Sequence, residues 1–120
     1  MLKVNGFSAS AVSADIRKKG DGRLDLGLIV ADSDATVAAV FTQNSVVAPP
    51  VDICRARVEQ KGSARAVLVN SGNANCMTLL RGHEDALNLS GKVARLLDIP
   101  VETVLPCSTG VIGERLPIDR

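Results

Sequence analysis

Hydrophobic and polar residues alternate along the first part of the chain. Phe7, Ala9 and Ala11 fall on one face of an extended segment, and serines occupy most of the other face. A turn-forming stretch with two glycines follows, and an apolar segment resumes over residues 24–30. This pattern predicts two strands joined by a long hairpin loop. A third strand is predicted over residues 37–42, beyond an acidic break.

The middle of the chain predicts a helix followed by a strand. Pro49 and Pro50 precede residues 51–60, and Gly62 follows them. Proline fits the first turn of a helix and glycine fits the position just after its end, so these residues predict a helix. Residues 64–70 are apolar in near succession, which is typical of a strand covered on both faces.

The clearest helical pattern covers residues 82–97. Its apolar residues recur at helical spacing near one face: Ala86, Leu89, Val93 and Leu97. Pro100 is predicted to stop this helix, and residues 101–106 predict a short last strand. Pro117 has the features of another helix start, so we expect the natural polypeptide to continue. Because several strands precede the first helix, the sheet is predicted to be antiparallel or mixed.

Composition narrows the fold class. Hydrophobic residues make up 46% of the 120 residues, yet the aromatic ones are two phenylalanines. A core of small and β-branched side chains favours layers of sheet and helix. The 22% of charged residues is ordinary for a folded domain, which excludes a disordered chain.

The balance of charge argues against nucleic acid as a partner. The 14 Lys and Arg residues and 13 Asp and Glu residues give a net charge of +1. Nucleic-acid binders usually carry a basic excess, and single-strand binders add aromatic stacking residues. The one short basic run, residues 17–19, is interpreted as a solvated turn, with phosphate binding as the less favoured alternative.

The sequence carries no signal for export or membrane insertion. Its first residues lack the apolar core of a secretory signal, and no stretch reaches the ~18 apolar residues of a membrane helix. Cys54, Cys76 and Cys107 are widely spaced, which is typical of free thiols in a reducing cytosol rather than of disulfides or zinc ligands. We therefore expect a cytoplasmic protein without a metal site and without a membrane partner.

Two polar segments carry the candidate chemistry, and the first is residues 70–76. Three asparagines, a serine and a glycine there follow an apolar strand. Asparagine side chains in such loops bind nearby backbone; the alternative is that their amides line a ligand site. His83, at the apparent start of a helix, is interpreted as a surface residue rather than a catalytic base.

The second segment contains Thr109 and Gly110, after the last predicted strand. A threonine hydroxyl beside a glycine backbone N–H forms a pair of hydrogen-bond donors. Such a pair can stabilise a developing oxyanion. Taken alone, a Thr-Gly dipeptide is a weak signal, since most such dipeptides are plain turns.

Taken together, the motifs resemble those of one enzyme family. The family is the ornithine acetyltransferases, the bifunctional glutamate N-acetyltransferases of arginine biosynthesis, and the similarity is to their amino-terminal part. It extends over residues 6–119. It rests on six segments in order: Gly6-Phe7, Gly27-Leu28-Ile29-Val30, Ala39-Val40-Phe41-Thr42-Gln43-Asn44, Ala48-Pro49-Pro50-Val51, Ala66-Val67-Leu68-Val69-Asn70-Ser71-Gly72-Asn73-Ala74-Asn75 and Ser108-Thr109-Gly110-Val111-Ile112-Gly113.

The resemblance implies a reaction and a site. These enzymes transfer an acetyl group from N-acetylornithine to glutamate, and some also take it from acetyl-CoA; no other cofactor and no metal is implied. Their precursor cuts itself into an α and a β chain, and the threonine at the start of the β chain is the nucleophile. Thr109 and Gly110 match the oxyanion hole of the family, the threonine through its hydroxyl and the glycine through its N–H.

The resemblance also implies an α/β fold, a layered sandwich of mixed or antiparallel sheets with helices outside. Residues 1–120 would form the amino-terminal part of a single domain of this kind. The Met-Ala-Thr cleavage motif and the later substrate-binding positions are absent from this sequence, so the chain alone is predicted to be inactive. Its expected partners are the remainder of its α chain and the β chain, in an α2β2 or larger assembly.

Two alternative functions stay open at this point. A self-cleaving amidohydrolase or aminopeptidase would use a similar oxyanion hole with water as the acceptor. A non-catalytic module would bind a small ligand with the same fold and perform no reaction.

Overall fold

The structure is a computed structural model that describes residues 4–119, and a four-stranded sheet lies at its centre. The strands are β1, Phe7–Val12; β2, Leu26–Thr36; β3, Ser63–Asn73; and β4, Val104–Val111. They lie in the order β1-β2-β3-β4. β2 is antiparallel to both β1 and β3, whereas β3 and β4 are parallel. This mixed sheet with helices confirms the predicted α/β class.

Two helices connect the strands. α1 is Pro49–Lys61, α2 is Leu79–Leu97, and a short 3-10 helix, Val101–Thr103, precedes β4. α1 has proline in its first turn and ends at Gly62. The left-handed conformation of Gly62 (φ 64°) lets its N–H bind the carbonyl of Val58. The predicted helix, its proline start and its glycine end are confirmed.

α2 begins at Leu79, a little before the predicted start at Gly82. It ends at Leu97, where Asp98 takes a left-handed conformation (φ 52°) that a short polar side chain tolerates, two residues before Pro100. The predicted apolar stripe is confirmed, since its members are buried or pack against the core: Ala86, Leu89, Val93 and Leu97. Within residues 4–119, no helix has the length and hydrophobicity to cross a membrane.

The hydrophobic core lies between one face of the sheet and α2. Small and aliphatic side chains fill it, as the composition predicts: Ala66, Leu68, Val93, Ala94 and Val104. Leu26 and Leu28 of β2 pack against this cluster from the neighbouring strand. The core therefore packs against the amino-terminal halves of β3 and β4.

One buried cation ties both helices to the sheet. Arg57 of α1 donates hydrogen bonds to the Ser90 hydroxyl of α2, at 3.2 Å, and to the Val104 carbonyl of β4. Ser90 and Val104 are fully buried, and Arg57 is nearly so. Burial lowers the pKa of the Arg57 guanidinium. This contact fixes α1 against α2 and against the edge strand β4.

The opposite face of the sheet, which we call the open face, is not covered by a helix in the part of the chain that the structure describes. Its cross-strand neighbours run from Ala9 through Ile29 and Val67 to Leu105. Every residue of β1 is exposed, and Ile29 is 44% exposed. Along β3, residues alternate between buried and half-buried. The prediction that β3 is covered on both faces thus holds for one face only.

The predicted strand over residues 37–42 is wrong. β2 instead continues through the acidic break to Thr36, with an irregular register. The segment that follows is held to α1, where the Arg55 guanidinium lies 5.4 Å from the centre of the Phe41 ring. An apolar sequence forms a strand only where a neighbouring strand pairs with it. Without such a partner, Val40 is 98% exposed.

Two further differences concern the end of the chain. The strand predicted over residues 101–106 begins as the 3-10 helix, and β4 extends to Val111. The Thr-Gly segment therefore lies inside β4 rather than after it. Ile118 and Asp119 form a turn, and the helix predicted to start at Pro117 falls largely outside the described residues.

Candidate functional site

The two segments that carry the candidate chemistry lie side by side in the structure. At the carboxyl ends of the parallel strands, Ser71 pairs with Thr109 and Gly72 pairs with Gly110. We call this region the strand-end site; it comprises residues 70–76 and 108–113. Ligands of α/β proteins commonly bind outside the carboxyl ends of parallel strands. The topology therefore places both candidate segments where a ligand is expected.

Thr109 and Gly110 are both exposed at this site. Thr109 lies on the open face, two residues beyond Cys107 along β4. Within residues 4–119 its hydroxyl has no hydrogen-bond partner, so it is free to donate to a ligand. Gly110 has a φ of +135°, a conformation that side chains other than glycine rarely adopt. The predicted donor residues are thus adjacent and accessible.

Gly72 and Gly110 bring β3 and β4 into backbone contact. A Cβ atom on Gly110 would lie 2.2 Å from the carbonyl carbon of Gly72 and 2.5 Å from the nitrogen of Asn73. On the other side, a Cβ atom on Gly72 would lie 2.6 Å from Cγ of Arg17. The absence of a side chain at Gly110 therefore allows the close approach of the two strands, and its absence at Gly72 leaves room for Arg17.

The asparagine side chains of the site are buried and bind backbone atoms. Asn70 donates to the carbonyl of Asn73 at 2.8 Å, and Asn75 donates to the carbonyl of Gly82 at 2.7 Å. Asn73 donates to two successive carbonyls beyond β4, each at 3.1 Å. Of the two interpretations of this segment, the structural one is confirmed, because these amides hold the chain rather than face a ligand.

A cleft lies beside the strand-end site, along the loop that joins β1 to β2. Arg17 and Lys19 line two cavities there, of about 180 and 380 Å³. Asp25 sets the path of the loop, because its carboxylate accepts hydrogen bonds from the N–H groups of Ala14 and Ile16, both at 2.7 Å. The basic run is exposed, as expected of a solvated turn. Its position beside the site was not predicted, because sequence spacing does not show which strand ends a loop crosses.

A charged pair anchors the segment after β4 to α2. The guanidinium of Arg115 binds both carboxylate oxygens of Asp85, at 2.6 and 3.1 Å. The hydrogen bond to Asp85, and then its charge, raises the pKa of Arg115. Sequence reasoning missed this pair, although Asp85 stands four residues before Leu89 on the buried stripe. His83, near the start of α2, is exposed, as predicted for a surface residue.

The described residues supply little other reactive chemistry. No group of three His, Cys, Asp or Glu side chains in residues 4–119 is arranged to hold a metal ion. The three cysteines are free thiols, and burial raises the pKa of Cys54 to about 11. A thiol with so high a pKa is protonated near neutral pH and is a poor nucleophile. Thr109 and Gly110 remain the candidate chemical groups of the site.

Comparison with known proteins finds similar sequences in longer relatives. The model of the ArgJ family matches residues 8–120. The arginine biosynthesis bifunctional protein ArgJ of Geobacter sulfurreducens is 50% identical over 119 residues, which are 99% of this chain and 30% of that protein. ArgJ of Caldanaerobacter subterraneus is 47% identical over 115 residues, 96% of this chain and 28% of that protein. The chain thus spans less than a third of these relatives.

Solved structures show the same fold. Arginine biosynthesis bifunctional protein ArgJ from Bacillus halodurans matches with a TM-score of 0.89 and 41% identity, over 96% of this chain and 59% of that one. Ornithine acetyltransferase from Mycobacterium tuberculosis, complexed with ornithine, also matches with a TM-score of 0.89, at 40% identity over 96% of this chain and 61% of that one.

Proposed function

The chain belongs to the ArgJ family, and from this premise we propose that it is the amino-terminal part of an acetyltransferase of arginine biosynthesis. The whole enzyme would transfer acetyl from N-acetylornithine to glutamate, with acetyl-CoA as a second acetyl donor. The names of the relatives support the pathway, and the ornithine in the Mycobacterium tuberculosis structure supports the substrate class. The share of the relatives that the chain covers supports its being a part of that enzyme.

The proposed chemistry is a two-step acyl transfer. A threonine outside this sequence attacks the acetyl carbonyl, whose oxygen becomes an anion in the tetrahedral state. That state collapses with release of ornithine, whose amine takes up a proton, and leaves an acetyl-threonine. The amine of glutamate then attacks this ester and forms a second anionic state. Collapse of that state breaks the ester bond, passes a proton from the amine to the threonine oxygen, and releases N-acetylglutamate with the threonine hydroxyl restored.

Thr109 and Gly110 would stabilise both anionic states. The observation that carries this proposal is the free hydroxyl of Thr109, exposed on the open face directly beside Gly110. A hydroxyl and a backbone N–H from adjacent residues can converge on one oxygen atom, and their hydrogen bonds strengthen as charge develops there. The nucleophile and the other substrate-binding groups would come from the part of the enzyme outside this sequence.

The open face is the proposed contact surface for that part. It bears an apolar cavity of about 280 Å³, lined in part by Phe7, Ile29, Val67 and Leu105. Apolar surface of this kind on a folded protein marks a contact site. The remainder of the α chain and the β chain would cover it, so that the catalytic threonine approaches Thr109 from the same side. The complete enzyme is proposed to be an α2β2 or larger assembly.

The proposed location is the cytoplasm. Three free thiols, one of them exposed at Cys107, are typical of a protein kept in a reducing compartment.

The experiment compares the full-length enzyme with the 120-residue chain. Each is incubated with N-acetylornithine and glutamate, and ornithine, N-acetylglutamate and acetate are quantified. Full-length enzyme should form ornithine and N-acetylglutamate in equal amounts, and intact mass spectrometry should detect an acetylated β chain. The 120-residue chain should form neither product. Glutamate-independent release of acetate would instead indicate an amidohydrolase, and binding without turnover by full-length protein would indicate a binding module.

A further inference from the structure

The backbone of Asn73 contacts β4 on both sides of Gly110. Its partners across the strand pair are Thr109 and Val111, so one residue of β3 faces two residues of β4. This irregularity coincides with the close backbone approach of Gly110 to Gly72. The next residue continues the pairing, since the Ala74 N–H donates to the Val111 carbonyl at 2.8 Å. The path of β4 at Gly110 is therefore set by the residues around Asn73.

The side chain of Asn73 fixes that arrangement. Its Nδ2 donates to the carbonyls of Glu114 and Arg115, each at 3.1 Å, and its Oδ1 accepts from the Asn75 N–H at 2.7 Å. The residue is 4% exposed. Both protons of the amide and its oxygen are thus in use, which leaves the side chain one orientation. The amide holds the chain beyond β4 against the end of β3.

We infer that Asn73 is a positioning residue for Thr109 and Gly110. The inference rests on the proposed function, in which those two residues bind the oxyanion. Donors in an oxyanion hole act only when they are aimed at the oxygen, and a displacement of 1 Å can cost about 10²-fold in rate. Asn73 touches no substrate in this scheme. It acts by keeping β4 and the segment after it in one place.

Asn75 provides a matched control, because it is the same residue type in the same segment. It is fully buried and donates to the carbonyl of Gly82, at the start of α2, rather than to the chain beyond β4. The backbone N–H of residue 75 donates to Oδ1 of Asn73, and Asn75→Ala keeps this hydrogen bond. Both substitutions remove buried hydrogen bonds and should lower stability by similar amounts. Only the Asn73 substitution should disturb Thr109 and Gly110.

The test uses cleaved, full-length enzyme carrying Asn73→Ala or Asn75→Ala. For folded Asn73→Ala we expect kcat to fall on the order of 10²-fold with KM nearly unchanged. Asn75→Ala should lower the melting temperature and keep the kcat of the folded enzyme. Should Asn73→Ala fail to fold, the isosteric Asn73→Asp replaces it, since it keeps the Oδ1 acceptor and removes both donated bonds. Hydrogen exchange of the peptide around Gly110 should accelerate in either Asn73 variant and not in Asn75→Ala.

A double-mutant cycle with Thr109→Ala separates positioning from a general loss of structure. If Asn73 acts through the oxyanion donors, Asn73→Ala should cost much less in the Thr109→Ala background than in the native one. An equal fold-decrease in kcat in the two backgrounds, or an unchanged kcat in folded Asn73→Ala, would overturn the inference about Asn73 and leave the proposed oxyanion hole standing. Full activity of Thr109→Ala would overturn the proposed oxyanion hole instead, so the two failures are distinguishable.

Discussion

Asp85 and Arg115 form an ion pair whose two members differ sharply in their environment. The side chain of Asp85 is 1% exposed, whereas that of Arg115 is 51% exposed, and their closest atoms are 2.6 Å apart. The pair joins α2 to the segment beyond β4, and Arg115 lies two residues after Gly113, the last residue of the strand-end site. Loss of the ion pair would therefore lower the free energy of unfolding mainly because the Asp85 carboxylate would stay buried without its cation.

We expect Arg115→Met to lower the urea midpoint of unfolding of the full-length enzyme markedly. The physical reason is the desolvated Asp85 carboxylate, which keeps its burial and loses its partner. Arg23→Met is the control, because the Arg23–Asp21 pair is exposed on both sides and such pairs contribute less than about 1 kcal/mol. Equal shifts in the two variants would contradict this account.

Gly110→Ala should destabilise the enzyme far more than Gly113→Ala. Both glycines have positive φ, yet a Cβ atom meets the backbone of Gly72 in the first case and nothing within 4 Å in the second. Strain in the left-handed region costs roughly 1–3 kcal/mol, and the clash adds roughly 1–3 kcal/mol. Urea unfolding measures the difference. A Gly110→Ala enzyme as stable as Gly113→Ala would show that the strands do not touch there.

Thr109→Ala should lower kcat and kcat/KM together, by about 10²–10³-fold, with little change in KM. The hydroxyl is expected to bind the oxygen only as its charge develops, so the loss falls on the transition state. Thr109→Ser keeps the donor and should retain much of the activity. Steady-state kinetics on cleaved, folded protein distinguishes an oxyanion-binding role of Thr109 from a structural one. If Thr109 merely shaped a turn, its substitution would alter stability and leave kcat intact.

Alkylation of Cys54 should be slow near neutral pH and should reach half of its maximal rate only near pH 11, since burial raises the pKa of this thiol from 9.0 to about 11. Site-resolved mass spectrometry after iodoacetamide pulses at different pH values gives the profile. A half-maximal rate near pH 9 would contradict it. The raised pKa also makes the contribution of Cys54 to stability complete below pH 9 and declining as the pH rises towards 11.

Features with a local cause could be predicted from the sequence. The prolines and Gly62 bound α1 through their own backbone preferences, and the buried stripe of α2 follows from spacing alone. The segment 37–42 shows the limit of such reasoning. Its composition suits a strand, but whether a partner strand exists beside it depends on the tertiary fold.

For the candidate site, too, the residue types could be predicted from the sequence, whereas their spatial arrangement could not. Thr109 and Gly110 were found from their chemical types and from a family resemblance. Their pairing with Ser71 and Gly72 was not predictable, because a parallel pair joined through a helix has a register that no short-range pattern encodes. The placement of Arg17 against Gly72 depends instead on the loop between β1 and β2 reaching the end of β3.

The contacts around Asn73 also bear on how the enzyme ages. Asparagine deamidates when the nitrogen of the next residue attacks the side-chain amide, closes a succinimide ring and expels ammonia. Here the Ala74 nitrogen is engaged with the Val111 carbonyl at 2.8 Å, and the amide is held at two other carbonyls. Folded enzyme should therefore retain its asparagine over long periods. In enzyme that spends time unfolded, water should open the succinimide at either carbonyl, so that aspartate and isoaspartate accumulate at position 73.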